Sequence, residues 1–198
     1  KEIYRRKLMI KKLKIITLTI FFFFPSHFIF AKETWVLDKE LSTITFELPV
    51  LLAPNVKGEF EEIEGLVEID TEKKEKNKAL FSVKIDSIKM NYNKYRDLLL
   101  SEIFFYESKF PLALIDTKIF TYQDQKELEL LVELSIKGIV LDVPLKLTII
   151  PLAENLVQIK SDLNFSRTSY QVGTGIWSST AILKDKAIIK TNLFLFRN

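Results

Sequence analysis

Apolar and polar residues alternate with a period of two along most of this chain, and this pattern constrains the fold more than any other feature. The stretch 127–136 is the clearest case, and its apolar face carries Leu128, Leu130, Val132, Leu134 and Ile136. Successive side chains of a β-strand point to opposite faces of the sheet. The alternation therefore predicts a strand with one buried face and one solvated face.

Similar stretches recur along the chain, for example at 43–48, 80–85, 143–149, 157–163 and 187–195. Together they predict about eight to nine short strands with short connections, which favours an antiparallel sheet. A parallel α/β fold is disfavoured because it needs a helix after most strands. The predicted fold class is therefore all-β, either as a barrel that can hold one small ligand or as a sandwich whose centre is filled.

Residues 91–111 depart from the alternation and predict a helix or two short helical turns. The segment is rich in aromatic side chains, among them Phe104, Phe105 and Phe110, and Pro111 ends it because proline lacks a backbone donor. One interpretation is a lid over the interior of the sheet. The alternative is that these aromatic groups only complete a core.

The first 31 residues differ in composition from the rest of the chain. A basic stretch at 1–14 precedes an apolar run at 15–24, and Ala31 follows. This order predicts a signal peptide over residues 1–31 that is cleaved near Ala31, followed by a single domain over residues 32–198. A membrane anchor is disfavoured because the apolar run is about half of the ~20 residues that span a bilayer. We therefore expect a periplasmic or secreted protein.

Charge and residue types narrow the function further. Seven of the 29 basic residues and one of the 26 acidic residues lie in residues 1–31, so residues 32–198 keep 22 basic and 25 acidic residues and a net charge of −3. This balance argues against nucleic-acid binding. The sequence has no cysteine, and its single histidine, His27, lies in the leader. We therefore expect no metal site, no cofactor and no catalytic residues.

Paired carboxylates are the remaining candidates for catalysis, because glycoside hydrolysis uses two of them. Glu61, Glu62, Glu64 and Asp86 would supply such a pair. Acidic residues at these positions are also typical of solvated strand faces. A carboxylate-based hydrolase is therefore an alternative and not the main prediction.

Four blocks of sequence carry a resemblance to a known family. They are Trp35-Val36-Leu37-Asp38 with Val56-Lys57-Gly58-Glu59-Phe60, then Arg96-Asp97 with Phe104-Phe105 and Phe110-Pro111, then Leu134-Ser135-Ile136-Lys137-Gly138-Ile139 with Val143-Pro144-Leu145, and finally Asn164-Phe165-Ser166-Arg167 with Tyr170 and Gly173. With these blocks in this order, the chain resembles the YceI-like family of exported polyisoprenoid-binding proteins. That family usually has a histidine just after the Arg-Asp pair, where this chain has Leu99.

The resemblance implies an extended antiparallel lipocalin-like β-barrel of about eight strands, with a helical lid segment near 91–110. It also implies a protein that binds or carries a long apolar ligand without catalysis, such as a polyisoprenoid, an isoprenoid quinone or a similar lipid. The alternative is an exported, stress-related protein–protein interaction module with an incidental cavity. Formation of a homodimer and transient contact with a membrane are left open.

Strand parity predicts which residues would contact such a ligand. The predicted wall residues are Phe46, Phe60, Phe81, Val83, Ile85, Leu130, Val132, Leu145 and Leu147, and the predicted lid residues are Phe104, Phe105 and Phe110. Arg96 is the candidate for contact with a polar head group at the cavity mouth. The alternative for Arg96 is a structural pair with Asp97 or with backbone carbonyls.

Overall fold

β-Strands make up most of the described part of the chain, which is residues 32–70, 72–90 and 92–197 of a computed structural model. The strands are β1 (Lys32–Leu37), β2 (Thr43–Leu48), β3 (Val56–Phe60), β4 (Ile63–Asp70), β5 (Asn77–Lys84), β6 (Ile88–Met90), β7 (Leu112–Phe120), β8 (Glu127–Ile136), β9 (Ile139–Ala153), β10 (Leu156–Ser166) and β11 (Lys186–Arg197). The predicted signal peptide, residues 1–31, lies outside the described residues.

Helical structure in the described residues is short. There, one α-helix, α1 (Arg96–Leu100), is accompanied by 3₁₀ turns at Ile85–Ser87, Asn93–Tyr95, Thr168–Tyr170 and Gly175–Ser178. Within the described ranges, no helix has the length and apolar character needed to cross a lipid bilayer.

The sheet closes into an eight-stranded antiparallel barrel. Neighbouring strands follow the order β1, β4, β5, β7, β8, β9, β10, β11, and β11 then pairs with β1. The closure confirms the predicted all-β barrel, and the sandwich alternative is wrong. It also removes the two free edges that an open sheet of this size would present to other chains.

Three short strands lengthen the barrel. Leu37 at the end of β1 pairs with Leu195 of β11, and Thr43 at the start of β2 pairs with Asn192 of the same strand. β4 pairs with β1, and β3, which precedes β4 in the chain, pairs with β2. Likewise, β5 pairs with β4, and β6, which follows β5, pairs with β3. Three pairs of consecutive strands therefore each act as one interrupted long strand: β1 with β2, β3 with β4, and β5 with β6. This gives the extended barrel that the resemblance implied.

The helical segment 92–110 lies at one end of the barrel. The first residue of β7 pairs with Lys84 and its last residue pairs with Asn77. The segment that precedes β7 and the connection 120–127 that follows it therefore lie at opposite ends of the barrel. The carbonyl of Ile103 accepts hydrogen bonds from the backbone N–H groups of Gly173 and Thr174, at 2.9 and 3.0 Å. The helical segment is thereby joined to the connection 167–185 between β10 and β11, and we call these two stretches the closed end.

Candidate functional site: an apolar cavity inside the barrel

A cavity of 540 Å³ runs inside the barrel. Each of the eight barrel strands contributes an apolar side chain to its surface, for example Trp35, Val67, Phe81, Ile115, Leu130, Leu147, Ile159 and Leu193. The volume lies within the range of pockets that hold small molecules, about 300–1,000 Å³. The inward face that the alternation predicted is therefore only partly filled by side chains.

The cavity reaches the surface at the end opposite the helical segment. Lys74 and Asp124 line it there, both are exposed, and their side chains form an ion pair at 3.3 Å. Arg197, at the end of β11 away from the closed end, also lines the cavity, with its guanidinium 3.2 Å from Glu33 and 5.6 Å from the ring centre of Trp35. The mouth therefore carries charges of both signs, and those charges are paired with one another.

Most of the predicted wall residues face the cavity. Eight of the nine predicted wall residues line it, namely Phe46, Phe60, Phe81, Val83, Ile85, Leu130, Leu145 and Leu147. Val132 has the predicted parity but is fully buried, with 0% of its surface exposed, and it lies off the cavity surface. Contact of the lining residues with a ligand stays a prediction.

The three predicted lid residues have different positions. Phe105 lines the cavity at the closed end. Phe104 has 2% of its surface exposed and packs against Trp177. The ring of Phe110 covers Gly138. The helical segment therefore forms a packed floor of the cavity, and one of its three predicted aromatic residues reaches the ligand space.

Arg96 lies away from the cavity surface. Its Nη2 donates to the carbonyl of Asp86 at 2.5 Å, and its Nε donates to the carbonyl of Ile88 at 3.4 Å. These bonds to backbone carbonyls match the structural alternative for this residue. The proposed contact with a head group at the mouth is not supported, because Arg96 belongs to the closed end.

Arg167 is fully buried at the closed end and lines the cavity. Its guanidinium donates to five backbone carbonyls, those of Lys184, Val172, Gly173, Ser179 and Leu183. These contacts occupy all five N–H donors of an arginine. Burial lowers the pKa of Arg167, although an arginine stays protonated in proteins. This cation therefore holds the connection 167–185 in place and has no donor left for an anionic ligand.

Sequence reasoning missed a pair of hydroxyl groups that face each other on the cavity wall. Ser161 of β10 and Thr191 of β11 both line the cavity, and their side-chain oxygens lie 2.8 Å apart. The alternation at 157–163 and 187–195 places both residues on the inward face. That parity was the available signal, but it does not show that the two hydroxyls meet.

The acidic residues that would serve a hydrolase lie outside the cavity. Glu61 pairs with Lys89, Glu64 pairs with Lys39 at 3.0 Å, and Glu62 and Asp86 both pair with Lys84, at 3.3 and 3.4 Å. All four carboxylates belong to partly or fully exposed side chains. Within the described ranges, no group of three or more side chains of the metal-binding types comes together.

Comparison with known proteins identifies the family. The model of the YceI-like domain matches residues 35–194 of the chain. The chain belongs to the YceI-like family. The resemblance predicted from the four sequence blocks is thus confirmed, over nearly the same residues that carried it. A search of curated proteins found no match.

Solved structures with the same fold support the YceI-like architecture. BcnA from Burkholderia cenocepacia is 22% identical with a TM-score of 0.72, over 80% of this chain and 98% of that one. A polyisoprenoid binding domain from Saccharophagus degradans, implicated in plant cell wall breakdown, is 12% identical with a TM-score of 0.69, over 83% and 98% of the two chains. The YceI protein of Campylobacter jejuni is 22% identical with a TM-score of 0.63, over 76% and 89%. At these identities the similarity establishes the fold.

Proposed function

We propose that this YceI-like protein binds one long apolar molecule of the polyisoprenoid or isoprenoid-quinone type inside its barrel, and that it does so without catalysis. The continuous apolar cavity, lined from all eight barrel strands, is the observation that carries the proposal. The Saccharophagus degradans domain of the same fold is described as polyisoprenoid binding, which supports the same ligand class.

Burial of apolar surface is sufficient to provide affinity in such a site. Each buried CH₂ group contributes about 0.8 kcal/mol, so ten of them contribute about 8 kcal/mol. That sum corresponds to a dissociation constant on the order of 1 μM, before the costs of ordering the ligand. A long prenyl chain therefore needs no charged or catalytic group to remain bound.

The place of action that we propose is the periplasm or the cell exterior, reached after cleavage near Ala31. The basic and apolar composition of residues 1–31 supports export. Removal of an apolar cargo from a membrane and its release into another would then occur through transient membrane contact. Detection of the mature protein in an osmotic-shock fraction, with an N-terminus near residue 32, tests this location.

Two neighbouring residues of β8 offer a matched test of the binding site. Leu130 lines the cavity, whereas Leu131 points outward with 63% of its surface exposed. Leu130→Trp should fill the cavity and reduce the amount of a prenylated benzoquinone that co-elutes with the protein at least about tenfold. Leu131→Trp should leave that amount unchanged. Equal retention by both variants, each with a cooperative thermal transition, would contradict binding inside the barrel.

One observation favours the interaction-module alternative. Val36, Leu66 and Leu80 are directly paired on neighbouring strands and point outward, with exposed fractions of 36%, 42% and 44%. If this face binds a partner or a second copy of the chain, Leu80→Glu abolishes the association and leaves lipid retention intact. Leu130→Trp would have the opposite effect, so the two variants separate the two functions.

A further inference from the structure

We propose that the hydroxyl pair formed by Ser161 and Thr191 binds an uncharged oxygen of the ligand, so that the cavity prefers lipids with a carbonyl or hydroxyl group over pure hydrocarbons. This inference rests on the proposed function, because it names the polar group of the ligand that the barrel would hold. The two side-chain oxygens lie 2.8 Å apart on directly opposed residues of β10 and β11.

The hydrogen bonding of the pair is incomplete. Each hydroxyl has one donor hydrogen and two acceptor lone pairs. One hydroxyl donates to the other, and neither side chain has a second hydrogen bond to the described part of the protein. One O–H group therefore has no protein acceptor, although both residues face the cavity.

The surroundings of the pair are apolar. Leu147 is directly opposed to Ser161, and Ile44 is directly opposed to Thr191. On the strands beyond them, Leu128 is directly opposed to Leu147 and Phe60 to Ile44. All four of these apolar side chains line the cavity. A donor in such surroundings forms a stronger hydrogen bond than a donor in water, and its cost is higher when it stays unpaired.

The buried cation and the ion pairs on the cavity surface are already engaged. Arg167, the buried cation on the cavity surface, donates all its N–H groups to backbone carbonyls. The paired charges of Lys74, Asp124 and Arg197 lie at the mouth. A phosphate or carboxylate placed at the hydroxyl pair would be buried without a counter-ion, which costs several kcal/mol. The site therefore suits a neutral oxygen.

The pair lies inside the barrel and away from the mouth. Thr191 lies six residues from Arg197 at the mouth, which is about 20 Å along the strand at ~3.3 Å per residue. A ligand whose oxygen-bearing ring binds at the pair therefore holds that ring inside the barrel, with its prenyl chain along the apolar wall of the cavity.

A competition experiment tests the inference. The purified protein is incubated with micelles that contain equal amounts of a prenylated benzoquinone and squalene, and the two lipids extracted from the re-purified protein are quantified by mass spectrometry. The wild-type protein should retain mainly the quinone. The double variant Ser161→Ala with Thr191→Val should lower the quinone-to-squalene ratio by roughly tenfold, as expected for the loss of hydrogen bonding to a buried ligand oxygen.

Controls separate this inference from the proposed function. Thr148→Val removes an exposed hydroxyl from β9 and should leave the ratio unchanged. If the double variant does not fold, the single variant Ser161→Ala should still lower the ratio by a smaller factor. Failure of the wild-type protein to retain either lipid would overturn the proposed function. Retention of both lipids with the same ratio in wild type and double variant would overturn this inference alone.

Discussion

The ring of Phe104 packs against the ring of Trp177, with ring centroids 5.9 Å apart and planes tilted by 59°. Phe104 belongs to the helical segment and Trp177 to the connection between β10 and β11. The contact joins the two stretches that form the closed end of the barrel. The floor of the cavity therefore depends on packing between parts of the chain that are distant in sequence.

Loss of this contact should destabilise the protein. Phe104 is 2% exposed, so Phe104→Ala should lower the free energy of unfolding by about 3–5 kcal/mol, through lost burial and the cavity that it leaves. Ile103→Ala, at a neighbouring residue that is 39% exposed, should cost less than about 1.5 kcal/mol. Urea denaturation measures both values. Similar costs for the two variants would contradict a packed floor.

Arg167 should be required for the closed end. Arg167→Met removes five hydrogen bonds and leaves buried carbonyls without partners, so the free energy of unfolding should fall by at least about 3 kcal/mol. The control is Arg197→Met, because Arg197 is partly exposed and forms ion pairs with Glu33 and Glu154. Such pairs contribute less than about 1 kcal/mol. Chemical denaturation of both variants provides the comparison.

Tyr170 should make stability depend on pH in alkaline solution. Burial, with a smaller contribution from Asp142, raises the pKa of Tyr170 to about 12 from a normal value of 10.0. The unfolded chain therefore loses the proton first, and stability that is complete below pH 10 is lost as the pH rises toward 12. The loss amounts to about 1.4 kcal/mol per pH unit over that window.

Tyr170→Phe isolates this effect from the titration of lysines. The Tyr170 hydroxyl is buried and has no hydrogen-bond partner in the described part of the protein. Its removal should leave stability at pH 7 unchanged or raise it by about 1 kcal/mol. Above pH 10 the variant should lose less stability than the wild type, as measured by thermal unfolding across the pH range. Parallel curves for the two proteins would count against a buried, neutral Tyr170.

Two glycines next to cavity aromatics should differ in their tolerance of alanine. A Cβ at Gly58 would collide with the ring of Phe46 and would lie 2.7 Å from the backbone carbonyl of Lys89, whereas a Cβ at Gly65 would collide mainly with the ring of Phe81. A backbone carbonyl cannot move cheaply, so Gly58→Ala should cost about 1–3 kcal/mol. At Gly65 the ring of Phe81 has the cavity to move into. Gly65→Ala should therefore cost less stability but reduce lipid retention.

Strand parity predicted the inward face of the barrel but not the depth of each residue within it. Leu130 and Val132 lie on the same face of β8, yet Leu130 lines the cavity and Val132 is completely enclosed by neighbouring side chains. Parity depends on the two-residue repeat of one strand. The distance from a side chain to the cavity depends on which residues the other strands place opposite it.

The closed end could not be predicted from local patterns. The carbonyls that Arg167 binds lie between Val172 and Lys184 in an irregular connection, and they converge only when that connection is folded. The sequence does predict the aromatic character of the helical segment. It does not predict that this segment is a fixed floor opposite the mouth, because that depends on which end of the barrel carries the connections 70–77 and 120–127.

Identification of the lipid that co-purifies with the protein is the most direct test of the central claim. The protein is purified from its native host without detergent, extracted with organic solvent, and the extract is analysed by mass spectrometry. We predict about one isoprenoid chain per protein, and its near absence from Leu130→Trp but not from Leu131→Trp. Repeated recovery of empty protein that also fails to bind added quinones or prenyl lipids would contradict the account.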